Sequence, residues 1–143
     1  MNKTRFTIFL LRISLGWFFF YTGITKVLNP NWSATGYLNS AKTFPELYSW
    51  LAGAQNIGWV NLLNEWGLTL VGVALILGIF VRWASWGGIL LMAMYYLPAL
   101  QFPYAGTTGF LVDNHVIFSL VFLLFFFSKA GQFWGLDRFL AKK

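Results

Sequence analysis

Apolar residues along the chain gather into four runs, at about 6–28, 57–80, 83–100 and 111–128, separated by shorter polar stretches. Runs of roughly 18 to 24 residues rise 1.5 Å per residue as helices and so cross about 30 Å of hydrocarbon. Inside them, polar and small residues recur at helical spacing. In the first, "LLRISLGWFFFYTGITKVL", Arg12, Gly16, Phe19, Gly23 and Lys26 follow steps of 4, 3, 4 and 3 and share one stripe. Asn61, Glu65, Thr69 and Gly72 form the corresponding stripe of the second run, and Ser85, Gly88 and Met92, with Tyr95 or Tyr96 beyond, that of the third. His115, Ser119, Phe122, Phe126 and Lys129 do so in the fourth. Small residues let a neighbouring backbone approach, so these stripes face protein rather than lipid. The pattern predicts an all-α integral membrane four-helix bundle, a single membrane domain over 1–143. No ten-residue segment alternates with period two, which excludes the strands of a β-barrel.

The stretches between the runs carry their own signals. In "TFPELYSWL" Thr43 stands three residues before Glu46, the spacing of a capping box, and Phe44, Leu47, Tyr48 and Leu51 follow at helical intervals. An amphipathic interfacial helix is expected there, preceded by a shorter one in "WSATGYLNSAK". This segment is read as an interfacial anchor or as a lid over a site. "GQFWGLDRFLAKK" mixes Phe133, Trp134 and Leu136 with basic residues and predicts a second interfacial segment at the other face. The first run is not expected to be a cleavable signal, because Arg12 interrupts its apolar core and bulky residues stand where a small-residue cleavage site is needed.

Composition supports the membrane assignment. Of 143 residues, 58% are hydrophobic and only 10% charged, too few polar groups to cover a soluble domain of this size. The net charge of +6 is dispersed around the apolar runs, which fits positive-inside placement and argues against nucleic-acid binding. With the N-terminus cytoplasmic, Lys3, Arg5, Arg12, Arg82, Lys129, Arg138, Lys142 and Lys143 lie inside and only Lys26 and Lys42 outside. Both termini are therefore expected in the cytoplasm, and 29–56 outside. No cysteine is present, which removes thiol relays, Cys-ligated zinc and iron–sulfur clusters from the chemistry. A lone histidine is too few ligands for bis-histidine haem or a zinc site, so no metal is expected.

Depth decides which charges can meet. Arg12 lies about 9 Å from the inner edge and Lys26 about 30 Å, so they cannot share a partner. Helical side chains lean toward their own N-terminus, which turns Lys26 into the membrane and Glu65, on a helix running the other way, toward it. His115 joins them from the fourth helix, with Asn61 and Asp113 nearby. Arg12 leans toward the cytoplasm, where Asp137 is the acid assigned to that side; a structural Arg12–Asp137 ion pair is expected. Ionisable residues on the inner stripes of membrane helices point to function, so Lys26, Glu65 and His115 are the candidate catalytic residues.

"LLRISLGWFFFYTGITKVLNPNWSATGYL", "NEWGLTLVGVALILGI" and "DNHVIFSLVFLLFFFSKAGQFWGLD" together resemble the DoxX/DoxD family of small four-helix membrane proteins. The marks of the resemblance are Arg12 in "LLR", Lys26 in "GITK", Glu65, His115 in "DNH" and the closing "GLD" at 135–137. DoxD-type members are associated with thiosulfate:quinone oxidoreductase, so the resemblance implies a quinone-facing membrane subunit of the cytoplasmic membrane of a bacterium or archaeon. No thiosulfate-oxidising domain is visible in this chain.

On that reading quinone, or a similar hydrophobic redox molecule, binds in the outer half of the bundle. His115 would donate a proton, Glu65 relay it, and Lys26 offset the negative charge of the reduced ring. Tyr21, Phe19 and Trp32 are the candidates for the apolar wall, and Asn61 for a further polar contact. Electrons would come from a partner subunit or a soluble substrate. Two other classes stay open: a proton-coupled transporter built on Glu65, as a homo-oligomer, and a scaffold whose polar cluster only fixes helix register.

Overall fold

The structure, a computed structural model, describes residues 2–141; Lys142 and Lys143, which enter the charge count above, lie outside the described residues. The first helix, α1 (Lys3–Val27), begins where the Asn2 side chain accepts hydrogen bonds from the N–H groups of Thr4 and Arg5 at 3.0 and 3.4 Å. Two short helices follow, α2 (Thr35–Asn39) and α3 (Pro45–Leu51). The next long helix, α4 (Ile57–Leu77), stops at Gly78, whose φ of 66° is left-handed backbone open to glycine without strain. A turn through Ile79 and Phe80 leads into α5 (Val81–Ala99), and α6 (Asn114–Ser128) follows. A 3-10 turn at Ala130–Gln132 and the single-turn helix α7 (Asp137–Leu140) close the described chain.

Helices form in both segments where interfacial ones are expected, but α3 does not start by the expected cap. Phe44 holds the N-cap position of α3 with φ 52°, and Pro45 occupies the first helical position. Thr43 instead donates to the carbonyl of Leu100 at 2.6 Å, so its hydroxyl ties α3 to α5 rather than starting a helix. A second difference lies between α5 and α6. The stretch between the third and fourth runs carries a small antiparallel sheet, β1 (Leu100–Gln101), β2 (Tyr104–Ala105) and β3 (Gly109–Phe110), and α6 starts at Asn114 rather than at Leu111. Two-residue strands are too short to leave a period in the sequence.

α1 lies along α4, α4 against α5 and α5 against α6. Glycine sets the closeness of the first pair. A Cβ on Gly72 would fall against the backbone of Phe20, and one on Gly23 against Thr69. On the other side of α5, Gly88 receives the ring of Phe122 face-on. The resulting core holds Leu15, Phe19, Leu68, Leu75, Phe122 and Phe125, all buried. The stripe read for α1 is the buried one, with Arg12, Gly16, Phe19 and Gly23 inside.

Both chain ends lie at one end of the helices, where Phe6 and Phe9 of α1 pack edge-on against Trp134. At the opposite end α2 and α3 are stapled to α5 for a definite reason. Pro98 has no N–H, so the Met94 carbonyl four residues earlier has no helical partner. Tyr48 of α3 donates to that carbonyl at 3.2 Å, and Tyr37 of α2 donates to the carbonyl of Tyr95. The Lys42 N–H adds a bond to the Pro98 carbonyl at 3.0 Å. Burial pushes the Tyr37 hydroxyl up to about 12, with Tyr48 and Asp113 adding to the effect, so it remains a donor at neutral pH.

Candidate functional site

Beneath the α2–α3 cap a cavity of about 400 Å³ opens among α1, α4, α5 and α6. Its floor is aromatic: Phe19 meets Phe118 and Phe122 edge-on at 5.9 and 5.3 Å, and Phe18 meets Phe118 at 5.3 Å. Trp32 and Tyr37 close it on the side of the cap. The polar groups on its wall come from all four helices, Lys26 and Thr22 of α1, Asn64 of α4, Tyr95 of α5, and Asn114 and His115 of α6, with Ser33 and Tyr37 added by the cap segment; the Tyr95 hydroxyl is buried without a partner among the described residues.

Lys26 is held from two directions. Its Nζ donates to Asn64 Oδ1 at 2.7 Å and sits 4.5 Å from the Trp32 ring centre, with the Tyr95 ring at 5.6 Å. One ammonium proton is thus directed to Asn64, the positive charge rests on aromatic faces, and two donors are left over. His115 is held through its other neighbour. Asp113 caps α6 by accepting from the His115 and Val116 N–H groups with Oδ1, at 2.9 and 3.2 Å, and meets His115 Nδ1 with Oδ2 at 2.6 Å. This one carboxylate starts the helix and fixes the ring, so Nε2 is the nitrogen left for another partner.

Four of the seven candidate site residues, Lys26, His115, Phe19 and Trp32, line this cavity, as do Met92 and Tyr95 of the stripe read for the third run. Glu65 does not. It neighbours Asn64 but lies one position round the helix, off the cavity wall, and makes no ion pair with Lys26 among the described residues. The expected three-residue cluster is therefore replaced by Lys26, Asn64 and His115. Asn64 belongs to the spacing Asn64, Leu68, Val71, Leu75, whose three apolar members are buried. The stripe read from the sequence, Asn61, Glu65, Thr69 and Gly72, buries Thr69 and Gly72 against α1, but its Asn61 and Glu65 lie off the cavity wall. Tyr21 is 59% exposed and outside the cavity. Asn61 is also off its wall, and instead accepts from the Ala34 N–H at 3.0 Å, anchoring the start of α2.

At the opposite end Arg12 is completely buried, and its partners are carbonyls. Nη1 donates to Ala130 O at 2.9 Å and Nη2 to Trp134 O at 3.4 Å. Gly78 and Gly135 leave room for the guanidinium, since a Cβ on either would strike Nη1. Asp137 makes no direct ion pair with it. Its two carboxylate oxygens accept instead from the N–H groups of Phe80 and Val81 at 2.7 and 3.0 Å, where α5 has unpaired donors. Arg12 and Asp137 thus hold the same C-terminal segment through separate contacts. Helix ends supply free carbonyls and N–H groups that an argument from side-chain charges passes over.

No group of three or more His, Cys, Asp or Glu residues capable of holding a metal occurs among the described residues. The DoxX family model matches residues 7–100, which contain Arg12, Lys26, Glu65 and all of α4 and α5; His115 and Asp137 lie beyond the match. No curated protein and no solved structure matches the chain.

Proposed function

Because the chain belongs to the DoxX family of membrane proteins, we propose that it is a four-span integral membrane subunit that binds quinone, or a similar hydrophobic redox molecule, in the Lys26 cavity. Two helices, α1 and α4, are long and apolar enough to cross a membrane. The proposal adds α5 and α6, which pack beside them and expose Trp86, Leu90, Leu120 and Phe127 outward. Both termini then share one side, the cytoplasmic one by the positive-inside rule, and the α2–α3 cap lies on the other.

One observation carries the choice of ligand: an aromatic-walled cavity of about 400 Å³ into which Lys26, Asn64, Tyr95 and His115 bring polar groups from four helices. That is the size and chemistry of a site for a flat apolar ring with oxygens on its edge. A bound quinone supplies the redox step, taking up electrons and protons. The chain's own residues bind and orient it. Lys26 Nζ offers its free protons to a ring oxygen, the Phe19 and Phe118 rings bound the apolar face, and the α2–α3 cap limits water. His115 Nε2, with Nδ1 held by Asp113, is the place where a proton is held or passed. Electrons come from a partner subunit or a soluble reductant. Glu65, off the wall, is not part of this route, which also removes the carboxylate that a proton-coupled transporter would need in the cavity.

The test is binding. Menadione added to purified protein should quench tryptophan fluorescence through Trp32, and gently purified protein should carry quinone at a stoichiometric level. Absence of both would reject the reading. Cysteines replacing Lys42 and Thr107 should react with impermeant reagents in intact cells, and one replacing Arg138 should not; labelling of the last would reverse the orientation.

A further inference from the structure

At the other end of the molecule lies a second cavity, of about 320 Å³, between the start of α5 and the end of α6. Its wall includes Arg82, Lys129, Gln132, Trp83 and Asp137. Both cations are exposed, and neither forms an ion pair: the His115–Asp113 contact is the only one among the described residues. Asp137, the acid in the wall, has both oxygens engaged by the Phe80 and Val81 N–H groups, which offset its charge.

Arg82 stands in the first turn of α5, where the helix dipole favours an acid. Its guanidinium is held 4.7 Å over the Phe126 ring, fixed in place but unpaired. Lys129 ends α6 with φ 54°, a left-handed conformation that strains a side-chain-bearing residue and suits glycine. Two exposed cations without acid partners, on one concave wall, are complementary to a phosphate. The apolar rim decides between sources of phosphate. Phe80, Trp83 and Leu140 of its wall are all exposed, Trp83 at 77%, and offer a surface for acyl chains.

We infer that this cavity binds the phosphate headgroup of an anionic phospholipid, gripped by Arg82 and Lys129, at the face that carries the chain termini. The site is independent of the quinone cavity and would stand if no quinone bound.

Native mass spectrometry of the full chain in detergent, after exposure to phosphatidylglycerol or phosphatidylcholine, reads the outcome. Wild type should retain one phosphatidylglycerol and little phosphatidylcholine. Arg82→Gln and Lys129→Gly should each lower retention about tenfold, the scale of one charge-assisted hydrogen bond. Lys129→Gly should at the same time melt higher, because it relieves the strained backbone, so its loss of lipid cannot be a loss of fold. Lys3→Gln, which removes the same charge from the exposed start of α1, should retain lipid like wild type. Equal retention of phosphatidylcholine, or an equal loss in Lys3→Gln, would overturn the inference in favour of general surface electrostatics. Thermal stabilisation by millimolar inorganic phosphate as large as that by phosphatidylglycerol would overturn the lipid assignment.

Discussion

Arg12 and Lys26 lie on the same stripe of the same helix, yet their surroundings are opposite. Arg12 is sealed in, with two backbone carbonyls on its guanidinium and two glycines making room for it. Lys26 has one oxygen partner, two aromatic faces and open volume in front of it. The difference shows how a buried charge is assigned. Where a buried cation donates to carbonyls of its own chain and no open volume adjoins it, its removal harms the fold. Where donors point into a cavity, its removal should harm binding.

The largest effect is expected at the sealed end. Arg12→Ala removes the side-chain donor from the Trp134 carbonyl, leaves the Ala130 carbonyl with the Phe133 N–H alone and empties a fully buried site, so it should cost about 3 kcal/mol or more in thermal or denaturant unfolding. Arg12→Lys should recover only part, since one ammonium cannot reproduce the forked geometry. Stability within 1 kcal/mol of wild type in Arg12→Ala would erase the contrast between the two ends.

Next in size is Lys26→Met, which should weaken menadione binding about 10- to 100-fold in fluorescence titration while changing stability by less than about 1 kcal/mol. The reverse pattern, intact binding and a large loss of stability, would make Lys26 a second Arg12.

A smaller effect sharpens the account of the cap. Tyr48→Phe removes the donor from the Met94 carbonyl freed by Pro98 and should cost about 1 kcal/mol, with faster proteolysis of 29–56 as the local readout. Tyr37 adds a dependence on pH. Its folded value is raised to about 12 by burial, above the ordinary value of about 10. The contribution is therefore complete below about pH 10 and is lost as pH rises toward 12. Absorbance at 295 nm should show a late tyrosinate step whose amplitude falls by one tyrosine in Tyr37→Phe.

The smallest effect belongs to Glu65. Because it is off the cavity wall and has no ion-pair partner among the described residues, Glu65→Gln should change menadione affinity less than about threefold, within the range of a surface substitution. A loss as large as that of Lys26→Met would restore it to the site.

Much of the fold was legible because helical period and small residues are local signals: the buried stripe of α1, the glycine contacts with α4 and the helical cap segments all follow from spacing. The site was half legible. Lys26, His115, Phe19 and Trp32 stood out by type and position, whereas Asn64 was hidden because polarity ranked Glu65 above it. Choosing the face of α4 by its buried leucines, rather than by its charges, would have selected Asn64. Contacts through the backbone were not legible at all. Thr43 reaching Leu100, Asp137 reaching the start of α5 and Tyr48 reaching Met94 all depend on which helix ends meet, and no spacing in the chain encodes that.

The most direct test of the Lys26 cavity as the ligand site is photolabelling of the membrane-embedded protein with an azido-quinone, followed by peptide mapping. Adducts should fall on the second half of α1, on Trp32 and on the first turns of α6, compete with menadione and disappear in Lys26→Met. Adducts confined to other helices, or unchanged by menadione and by Lys26→Met, would contradict the assignment.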